Sequence, residues 1–184
     1  MGKASYHHGD LRSTILARAA ELVAERGADG ISLRELARAA GVSHAAPAHH
    51  FGDRRGLFTA LAAEGYRLLA AELADARPEF IDAAKAYVRF ALEHPGHFEV
   101  MFDKSLYDDA DPQLLTASAA ADAELRAGVD TLADPHAQAD PTGAALAAWS
   151  MVHGFAQLWL NDAVDTAGDP VATVERLAAI LFDG

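Results

Sequence analysis

Residues 33–51 carry the most informative pattern of the chain, Leu-Arg-Glu-Leu-Ala-Arg-Ala-Ala-Gly-Val-Ser-His-Ala-Ala-Pro-Ala-His-His-Phe. Its first half places four apolar residues on one helical face, namely Leu33, Leu36, Ala37 and Ala40. Gly41 tolerates the positive φ that a tight turn requires, and Ser43 is of a type that caps a new helix. Because the small Ala37 lets two short helices cross closely, the pattern predicts a helix-turn-helix. In this motif the second helix enters the DNA major groove with its N-terminal residues leading.

The residues just before this stretch predict where its first helix begins. Ser32 and Glu35 have the spacing of a capping box, in which each side chain accepts the backbone N–H of the other residue. Ile31 and Leu36 are placed to form the hydrophobic staple that accompanies such a box. A helix is therefore predicted to start at Ser32, and Gly41 is predicted to stop it.

The rest of the chain has helical periodicity and no alternating, strand-like pattern. Asp10 is predicted to cap the first helix, and Pro78 to open the fifth. Three later helices are predicted to begin at Asp-Pro pairs, which are Asp111-Pro112, Asp140-Pro141 and Asp169-Pro170. We therefore predict an all-α protein of about nine helices, in which a three-helix headpiece precedes a larger bundle. The last three helices are predicted at about 112–132, 141–165 and 170–182.

Composition limits the chemistry that the chain can perform. Its 184 residues include no cysteine, which excludes disulfides, thiol nucleophiles and cysteine-ligated metals. Residues 1–58 hold 8 Lys and Arg against 6 Asp and Glu, whereas residues 59–184 hold 7 against 21. An acidic protein with one basic end is not a general polyanion binder, but that end can contact nucleic acid. With no membrane-length apolar run and no signal-peptide core, we expect a cytoplasmic protein without a membrane partner.

Three parts of the first region resemble the DNA-binding headpiece of TetR-family transcriptional regulators: residues 34–43, residues 49–54 and Leu57. The sequence Trp-Ser-Met-Val-His-Gly at 149–154 resembles a family subgroup with a Trp-x3-His-Gly signature in its C-terminal domain. The resemblance implies a helix-turn-helix DNA-binding domain in residues 1–58. It further implies a ligand-binding and dimerisation domain in residues 59–184.

The resemblance also implies which residues contact DNA. Ser32 and Arg34 would meet phosphates at the start of the second helix. Arg54 replaces the lysine that the family usually has at the start of the fourth helix, where the helix dipole favours an anion. The recognition helix and its turn supply the others, which are Ser43, His44, Ala45, Ala46, His49 and His50. His44 can donate to a base edge, and the alanine methyl groups can contact a thymine methyl.

Two residues of the recognition helix depart from the family pattern. Ala48 stands where the family usually has an aromatic residue, often tyrosine, that contacts phosphate. Losing one such contact weakens DNA binding by about 1 kcal/mol. Pro47 cannot donate a backbone hydrogen bond and restricts the residue before it, so we expect a short or distorted recognition helix.

The last two predicted helices carry apolar residues on several faces. The segment 141–165 is apolar nearly all round, and a helix of that kind is buried on two sides. The final helix has an apolar stripe, formed by Val171, Val174, Leu177, Ala178 and Leu181. We expect these two helices to pair with their copies as a four-helix homodimer interface, as the resemblance also implies. The alternative is ordinary core packing within one subunit.

Seven residues are candidates for a small-molecule site: Tyr87, Phe90, Phe98, Met101, Phe102, Trp149 and His153. Aromatic rings around one polar group describe such a site, but they also describe a core with one satisfied histidine, which is the favoured interpretation of each residue taken alone. The family resemblance favours a pocket for the group. A proline and a glycine interrupt the spacing of His94 and His97, so we expect no metal site and no cofactor. Ser150 and His153 have no evident third partner or oxyanion-hole loop, so we expect no enzyme.

Together these features predict a dimeric, ligand-responsive DNA-binding transcriptional regulator, with repression as the favoured mode. Its headpieces would bind a palindromic double-stranded DNA operator, with recognition helices ~34–40 Å apart. An apolar or aromatic effector in the bundle would favour a spacing that no longer matches the operator. One alternative, motivated by Pro47 and Ala48, is a helical small-molecule-binding protein with weakened or lost operator binding. A third hypothesis, an enzyme in the bundle, rests only on His153 and the nearby aromatic residues.

Overall fold

The chain folds into helices that follow the predicted periodicity. The structure is a computed structural model that describes residues 8–76, 79–165 and 167–182. These residues form ten α-helices and a 3-10 turn at Ala28–Gly30, with no strand among them, which confirms the all-α class. None of the helices in this part is long and apolar enough to cross a membrane. The helices are α1 (His8–Arg26), α2 (Leu33–Ala39), α3 (Ala46–Phe51), α4 (Arg54–Ala76), α5 (Phe80–Glu93), α6 (Pro95–Met101), α7 (Pro112–Val129), α8 (Pro135–Ala139), α9 (Pro141–Leu160) and α10 (Pro170–Phe182).

The structure contains one helix more than the nine that the sequence predicts. The additional helix is α8, which Asp134 caps by accepting a hydrogen bond from the backbone N–H of His136 at 2.8 Å. Pro135 occupies the first turn, so α8 begins with the same Asp-Pro signal as the three helices predicted from it. Those three predictions are confirmed, because the Oδ1 atoms of Asp111, Asp140 and Asp169 accept backbone N–H groups of α7, α9 and α10.

Two helix boundaries differ from the predicted ones, and a third lies outside the part of the chain that the structure describes. α1 begins at His8, so the prediction that Asp10 caps it is wrong. α9 ends at Leu160 rather than near residue 165, and Asp162 then adopts a left-handed φ of 50° that cannot continue a helix. The predicted opening of α5 at Pro78 lies outside the described residues.

The chain forms two compact units that are not consecutive along the sequence. The first unit contains the residues up to 65 together with 94–115, and the second contains 66–93 and the residues from 116 onward. These ranges differ from the predicted domains 1–58 and 59–184, because α6 packs against α1. At that contact Gly96 lies so close to the carbonyl oxygen of Ala20 that a Cβ would collide with it.

The first unit contains the helix-turn-helix that the sequence predicts. The capping box of α2 is present, since Glu35 N–H donates to Ser32 Oγ at 3.2 Å and Ser32 N–H donates to Glu35 Oε2 at 3.2 Å. Gly41 has a φ of 66° in the turn after α2. The apolar face predicted for α2 is buried at Leu36 and Ala37, so the motif has its own core.

The predicted recognition helix, α3, has six residues and begins at Ala46 rather than directly after Ser43. Ser43 is therefore not its N-cap; Ala45 occupies that position without a side-chain hydrogen bond. Because Pro47 has no N–H to donate to the Ser43 carbonyl, that oxygen accepts the Ala46 N–H at 3.0 Å instead. Pro47 thus lies in the first turn of α3, where it is tolerated, and the expected shortening is confirmed.

The core of the second unit lies between α5, α9 and α10. Phe80 of α5 packs edge-on against Phe182 of α10, with ring centroids 4.9 Å apart. Val174 and Ala178, from the stripe predicted on α10, are buried. Lys85 also joins α5 to α10 by an ion pair with Glu175 at 3.1 Å. This core fixes the positions of the candidate ligand residues on α5 and α9.

Candidate functional site

Six residues that were predicted to contact DNA lie exposed on and around α2 and α3, and we call this set the α2–α3 surface. It consists of Ser32, Arg34, Ser43, His44, Ala45 and His49. Beneath it lie the buried side chains of Leu36, Ala37 and Phe51. The surface therefore presents hydroxyl, imidazole and guanidinium groups on a closely packed support. Such groups donate hydrogen bonds to phosphates and base edges.

The remaining predicted DNA-contact residues are more enclosed. Ala46 is only 9% exposed, so it belongs to the packing beneath α3. His50 is half-buried, and its ring lies 5.4 Å from that of His49 and 6.3 Å from that of Phe51. The structure thus places Ala46 and His50 behind the exposed end of the motif.

Arg54 is bound to its own headpiece. Its Nε donates to the carbonyl oxygen of Ile31 at 3.2 Å, and its Nη2 donates to that of Ala28 at 2.9 Å. Its guanidinium carbon lies 4.7 Å from the ring centroid of Phe58, within cation–π range, and Nη2 is 3.6 Å from Asp29. Arg54 therefore ties α4 to the segment between α1 and α2.

A groove of about 410 Å³ lies beside α3 in the first unit, and no local sequence pattern predicts it. Arg12 of α1, His50 of α3 and Arg55 of α4 are among the residues that line it, together with Asp108 and Asp111 of the loop before α7. Its lining contains two arginines and three aspartates, so the excess of positive charge in residues 1–58 did not point to it. The groove itself depends on contacts between distant segments, which periodicity does not reveal.

Three of the predicted ligand residues come together in the second unit. The indole Nε1–H of Trp149 donates to Tyr87 Oη at 3.2 Å, and Tyr87 Oη lies 3.1 Å from Nδ1 of His153. We call these residues the Tyr87 triad. When His153 is neutral and carries its proton on Nε2, its Nδ1 accepts a hydrogen bond from the Tyr87 hydroxyl. The triad thus joins α5 to α9 by a chain of hydrogen bonds.

Burial shifts the titration of the triad. It raises the pKa of the Tyr87 hydroxyl far above its ordinary value, and the hydrogen bond from Trp149 only partly opposes that shift. Burial also lowers the pKa of His153, because the charged imidazolium loses hydration. Both shifts favour the neutral forms, which are the forms that the hydrogen-bond chain requires.

The cavity beside the triad is small. Its volume is about 20 Å³, and it is lined mainly by apolar side chains, among them Phe80, Val129 and Val152. That is roughly the space that one water molecule needs. In this conformation the second unit has a narrow apolar site with Tyr87 and Trp149 in its wall.

The other candidate ligand residues are distributed over both units. Phe90 is buried on α5 in the second unit. Phe98 and Met101 are buried on α6 in the first unit, and Phe102 follows them, with its ring 5.0 Å from that of Phe98. The neighbouring His97 is hydrogen-bonded to Glu64, with 3.0 Å between Nε2 and Oε2. The structure therefore brings together Tyr87, Trp149 and His153, and places Phe98, Met101 and Phe102 in another cluster.

The fold and the α2–α3 surface define a helix-turn-helix protein. Comparison with known proteins identifies its family. Residues 15–61 match the family of bacterial regulatory proteins, tetR family, and residues 80–181 match the tetracyclin repressor-like, C-terminal domain. The second match alone covers more than half of the chain, which therefore belongs to the TetR family of transcriptional regulators.

The chain is also similar to curated proteins and to solved structures. The HTH-type transcriptional repressor AcnR of Corynebacterium glutamicum is 38% identical over 90 residues, which are 49% of this chain and 45% of that protein. The chain thus spans about half the length of the curated relatives that it matches. A solved Rhodococcus sp. RHA1 protein of unknown function is 37% identical with a TM-score of 0.75, over 98% of this chain and 97% of that one. The TetR family transcriptional regulator PfmR of Thermus thermophilus, at 23% identity, shares the fold with a TM-score of 0.65, over 92% and 97% of the two chains.

Proposed function

We propose that this chain is a cytoplasmic, homodimeric transcriptional repressor that binds a palindromic DNA operator and releases it when a small effector binds. The observation that carries the proposal is the α2–α3 surface, where exposed donors lie on a capped helix-turn-helix. Its partial relative AcnR is named a repressor, which favours repression over activation.

Within this proposal the predicted DNA-contact residues have different roles. Arg34 and Ser32, at the start of α2, contact phosphates. Ser43, His44, Ala45 and His49 approach the bases, because they are exposed before or along α3. Ala46 and His50 support α3 from beneath. Arg54 holds the start of α4 against the headpiece and reaches a phosphate only with the part of its guanidinium that remains exposed.

The effector site that we propose is the narrow cavity beside Tyr87 and Trp149. A cavity of about 20 Å³ does not admit an organic molecule, so effector binding must open it. Its apolar lining favours an apolar or aromatic effector, and Tyr87, which is hydrogen-bonded to His153, supplies a polar group in the wall that can fix its orientation. Such an effector changes the operator affinity only to the extent that it binds the open and closed forms differently.

The homodimer that we propose forms through α9 and α10. Five of the six large hydrophobic residues that are exposed in the described part of the chain belong to these two helices: Leu146, Trp149, Leu158, Ile180 and Leu181. Exposed apolar side chains concentrated on two helices are typical of a protein–protein interface. A twofold axis there would pair each helix with its copy.

The proposal is tested by selecting duplexes from a random library and measuring their affinity at several salt concentrations. We expect saturable binding that weakens steeply with salt. His44→Ala should relax sequence selectivity, whereas Arg34→Gln should weaken binding to all sequences. Arg67→Gln, on an exposed position of α4, is the control for the change in net charge. Failure of the wild-type protein to bind any duplex at low salt would contradict the proposal.

A second function is favoured by one observation, the alanine at position 48. Ala48 is exposed on α3 and cannot provide the phosphate contact that an aromatic residue makes there. A helical small-molecule-binding protein with weakened or lost operator binding would have this feature. Ala48→Tyr distinguishes the two functions. In a working repressor it should add one phosphate contact, a gain of about 1 kcal/mol in binding free energy, and so strengthen selective binding roughly fivefold. In a protein that has lost operator binding, the wild type shows no selectivity to strengthen.

A further inference from the structure

The narrow cavity of the second unit has an aromatic side chain as one of its walls. Trp149 of α9 lines the cavity, and its Nε1–H donates a hydrogen bond to the buried Tyr87 hydroxyl at 3.2 Å. We propose that the Trp149 indole is a placeholder for the effector, which is a neutral aromatic molecule with an N–H or O–H donor. This inference rests on the proposed effector site and names the class of molecule that the site takes.

The hydrogen bond between Trp149 and Tyr87 sets the polar requirement of the site. An indole N–H can only donate, so the Tyr87 oxygen is the acceptor whichever tautomer His153 adopts. Burial raises the pKa of the Tyr87 hydroxyl, which keeps the group neutral. A molecule that takes the place of the indole restores this bond only if it supplies a donor of its own. Leaving the buried acceptor without that donor would cost binding free energy.

The lining of the cavity excludes a charged effector. None of the described residues that line it carries a charge, and four of the ten are alanines. An ion would lose its hydration there without gaining an ion partner. The lining is otherwise apolar apart from the Tyr87 hydroxyl and the Trp149 N–H, which is typical of sites for apolar and aromatic ligands.

Trp149 is placed so that its indole can leave the cavity. Its side chain is 39% exposed, whereas Tyr87 is fully buried. Rotation of the indole toward solvent therefore leaves the position of Tyr87 unchanged. The space that the indole vacates adds to a cavity of about 20 Å³, so the widened site matches a ring system of similar size.

The surroundings of the indole suit a second aromatic ring. The centroid of the indole lies 5.9 Å from that of the His153 ring, and the two rings are tilted by 50°. Burial lowers the pKa of His153, which favours the uncharged ring. An aromatic effector in the place of the indole would make the same ring contact.

Displacement of Trp149 would also reach the outer surface of α9. Trp149 is one of the exposed apolar residues of the proposed homodimer interface. Its movement would therefore change the surface that a second copy meets. Effector binding and subunit association are thus linked through one side chain, and such a link is reciprocal.

The placeholder lowers the apparent affinity for the effector. The site is open only in the fraction of molecules in which the indole has moved out. The apparent dissociation constant rises in inverse proportion to that fraction. Removing the indole should therefore tighten the binding of a molecule that takes its place.

The test compares indole with benzofuran, which has the same bicyclic shape but no N–H donor. Titrations of the full chain by ligand-detected NMR measure both dissociation constants. We expect wild type to bind indole about fivefold more tightly than benzofuran, as one hydrogen bond provides. Trp149→Ala should bind indole about tenfold more tightly than wild type, because open states are commonly populated at 10% or less. Tyr87→Phe, which removes the acceptor, should bind the two probes equally.

A second tryptophan on the same helix provides the control. Trp159 packs against Phe155, with ring centroids 5.7 Å apart, and does not line the cavity. Trp159→Ala should therefore bind indole as wild type does. Far-UV circular dichroism and the thermal midpoint of each variant establish that it is folded.

A further measurement follows the placeholder itself. The chain contains two tryptophans, so Trp159→Phe leaves Trp149 as the only one. With fluorinated tryptophan at this position, the fluorine NMR resonance should move toward its solvent-exposed value as indole is added. The movement should follow the same binding curve as the titration.

Four results would overturn the inference. Equal affinities for indole and benzofuran in both wild type and Trp149→Ala would show that the site requires no donor. A preference for indole that persists in Tyr87→Phe would place the acceptor elsewhere. A fluorine resonance that stays unchanged up to the solubility limit of indole would show that Trp149 is not displaced. The fourth is the absence of indole binding by both wild type and Trp149→Ala.

These measurements are independent of DNA. A negative result would overturn the placeholder and leave the proposed operator binding standing. Loss of operator binding in the duplex selection would contradict the proposed function without changing the affinities for indole and benzofuran. The two failures are therefore distinguishable.

Discussion

At the scale of single residues, Arg54 shows how one side chain acquires a role that its position in the sequence does not reveal. As a cation at a helix N-terminus it has the properties of a phosphate ligand. In the folded chain it donates hydrogen bonds to the carbonyl oxygens of Ala28 and Ile31, which belong to the segment between α1 and α2. We therefore expect any contribution of Arg54 to the proposed DNA binding to act largely through the position of α4.

We expect Arg54→Ala to destabilise the protein by about 1–3 kcal/mol, because two hydrogen bonds from a charged donor and a ring contact are lost. Arg54→Lys should recover only part of this loss, since one ammonium group cannot reproduce the two-pronged geometry. Urea unfolding monitored by circular dichroism measures the effect. Arg67→Ala, an exposed residue on the same helix, should change stability by less than about 0.5 kcal/mol. Equal effects of the Arg54 and Arg67 substitutions would refute the structural role.

His153 gives a prediction about pH. Its folded pKa is lowered by burial, so the neutral form stabilises the native state. That stability is fully present above the unfolded pKa of about 6.5 and is lost as the pH falls through the lower folded value. The difference in unfolding free energy between wild type and His153→Gln should therefore shrink between about pH 7.5 and pH 5. His136→Gln, at an exposed position, is the matched control, and parallel pH profiles for wild type and His153→Gln would contradict the prediction.

At the scale of elements, the helix-turn-helix depends on the backbone conformation at one glycine. Gly41 has a φ of 66°, while a Cβ at this position would meet nothing within 4 Å. Only backbone strain thus opposes a larger residue there. The short α3 that follows is held by Pro47 in its first turn and by the buried Phe51 at its end.

We expect Gly41→Ala to cost about 1–2 kcal/mol, because it places a residue with a Cβ in the left-handed region. Gly30→Ala is the control in the same unit, because its φ is not positive and its Cβ would lie 3.6 Å from that of Arg26. That control should be neutral or slightly stabilising. Thermal unfolding of both variants measures the difference, and similar midpoints for the two would show that the turn can adopt another conformation.

At the scale of the whole molecule, the apolar side chains of α9 and α10 exceed what the second unit buries. Val152 and Ala156 of α9 are buried with Val174 and Ala178 of α10, as a core requires. Ile180, however, is 78% exposed at the end of the last helix. Monomeric proteins rarely expose a large continuous patch of apolar side chains to water. Association of α9 and α10 with their copies in a second subunit would bury these residues.

We expect the double substitution Ile180→Glu and Leu181→Glu to convert a dimer into a monomer, because it places charges within the proposed interface. Size-exclusion chromatography with light scattering should show the mass falling to that of one chain. Leu115→Glu changes an equally apolar exposed residue on α7 and should leave the dimer intact. A monomeric wild-type protein, or a double variant that remains dimeric, would exclude this interface.

Local sequence patterns were sufficient to predict most of the helices and the class of the protein. The capping box at Ser32 and Glu35, the glycine at position 41 and the Asp-Pro pairs are all local signals, since their hydrogen bonds join residues a few positions apart. The same signal was present at Asp134 and Pro135, so α8 was predictable as well. The family resemblance rested on such local motifs in the headpiece, and the family match of residues 15–61 confirms it.

Tertiary structure alone decided which distant groups meet. Local patterns were enough to predict most of the helices and the shortening of α3 by Pro47, because backbone hydrogen bonding and φ restrictions act within a few residues. The sequence by itself could not show that Arg54 binds the carbonyl oxygens of Ala28 and Ile31, or that Tyr87 meets His153 across 66 positions of sequence. Nor could it show that α6 joins the first unit. These contacts depend on how whole helices pack, and packing is set by the combined shapes of many side chains rather than by any local pattern.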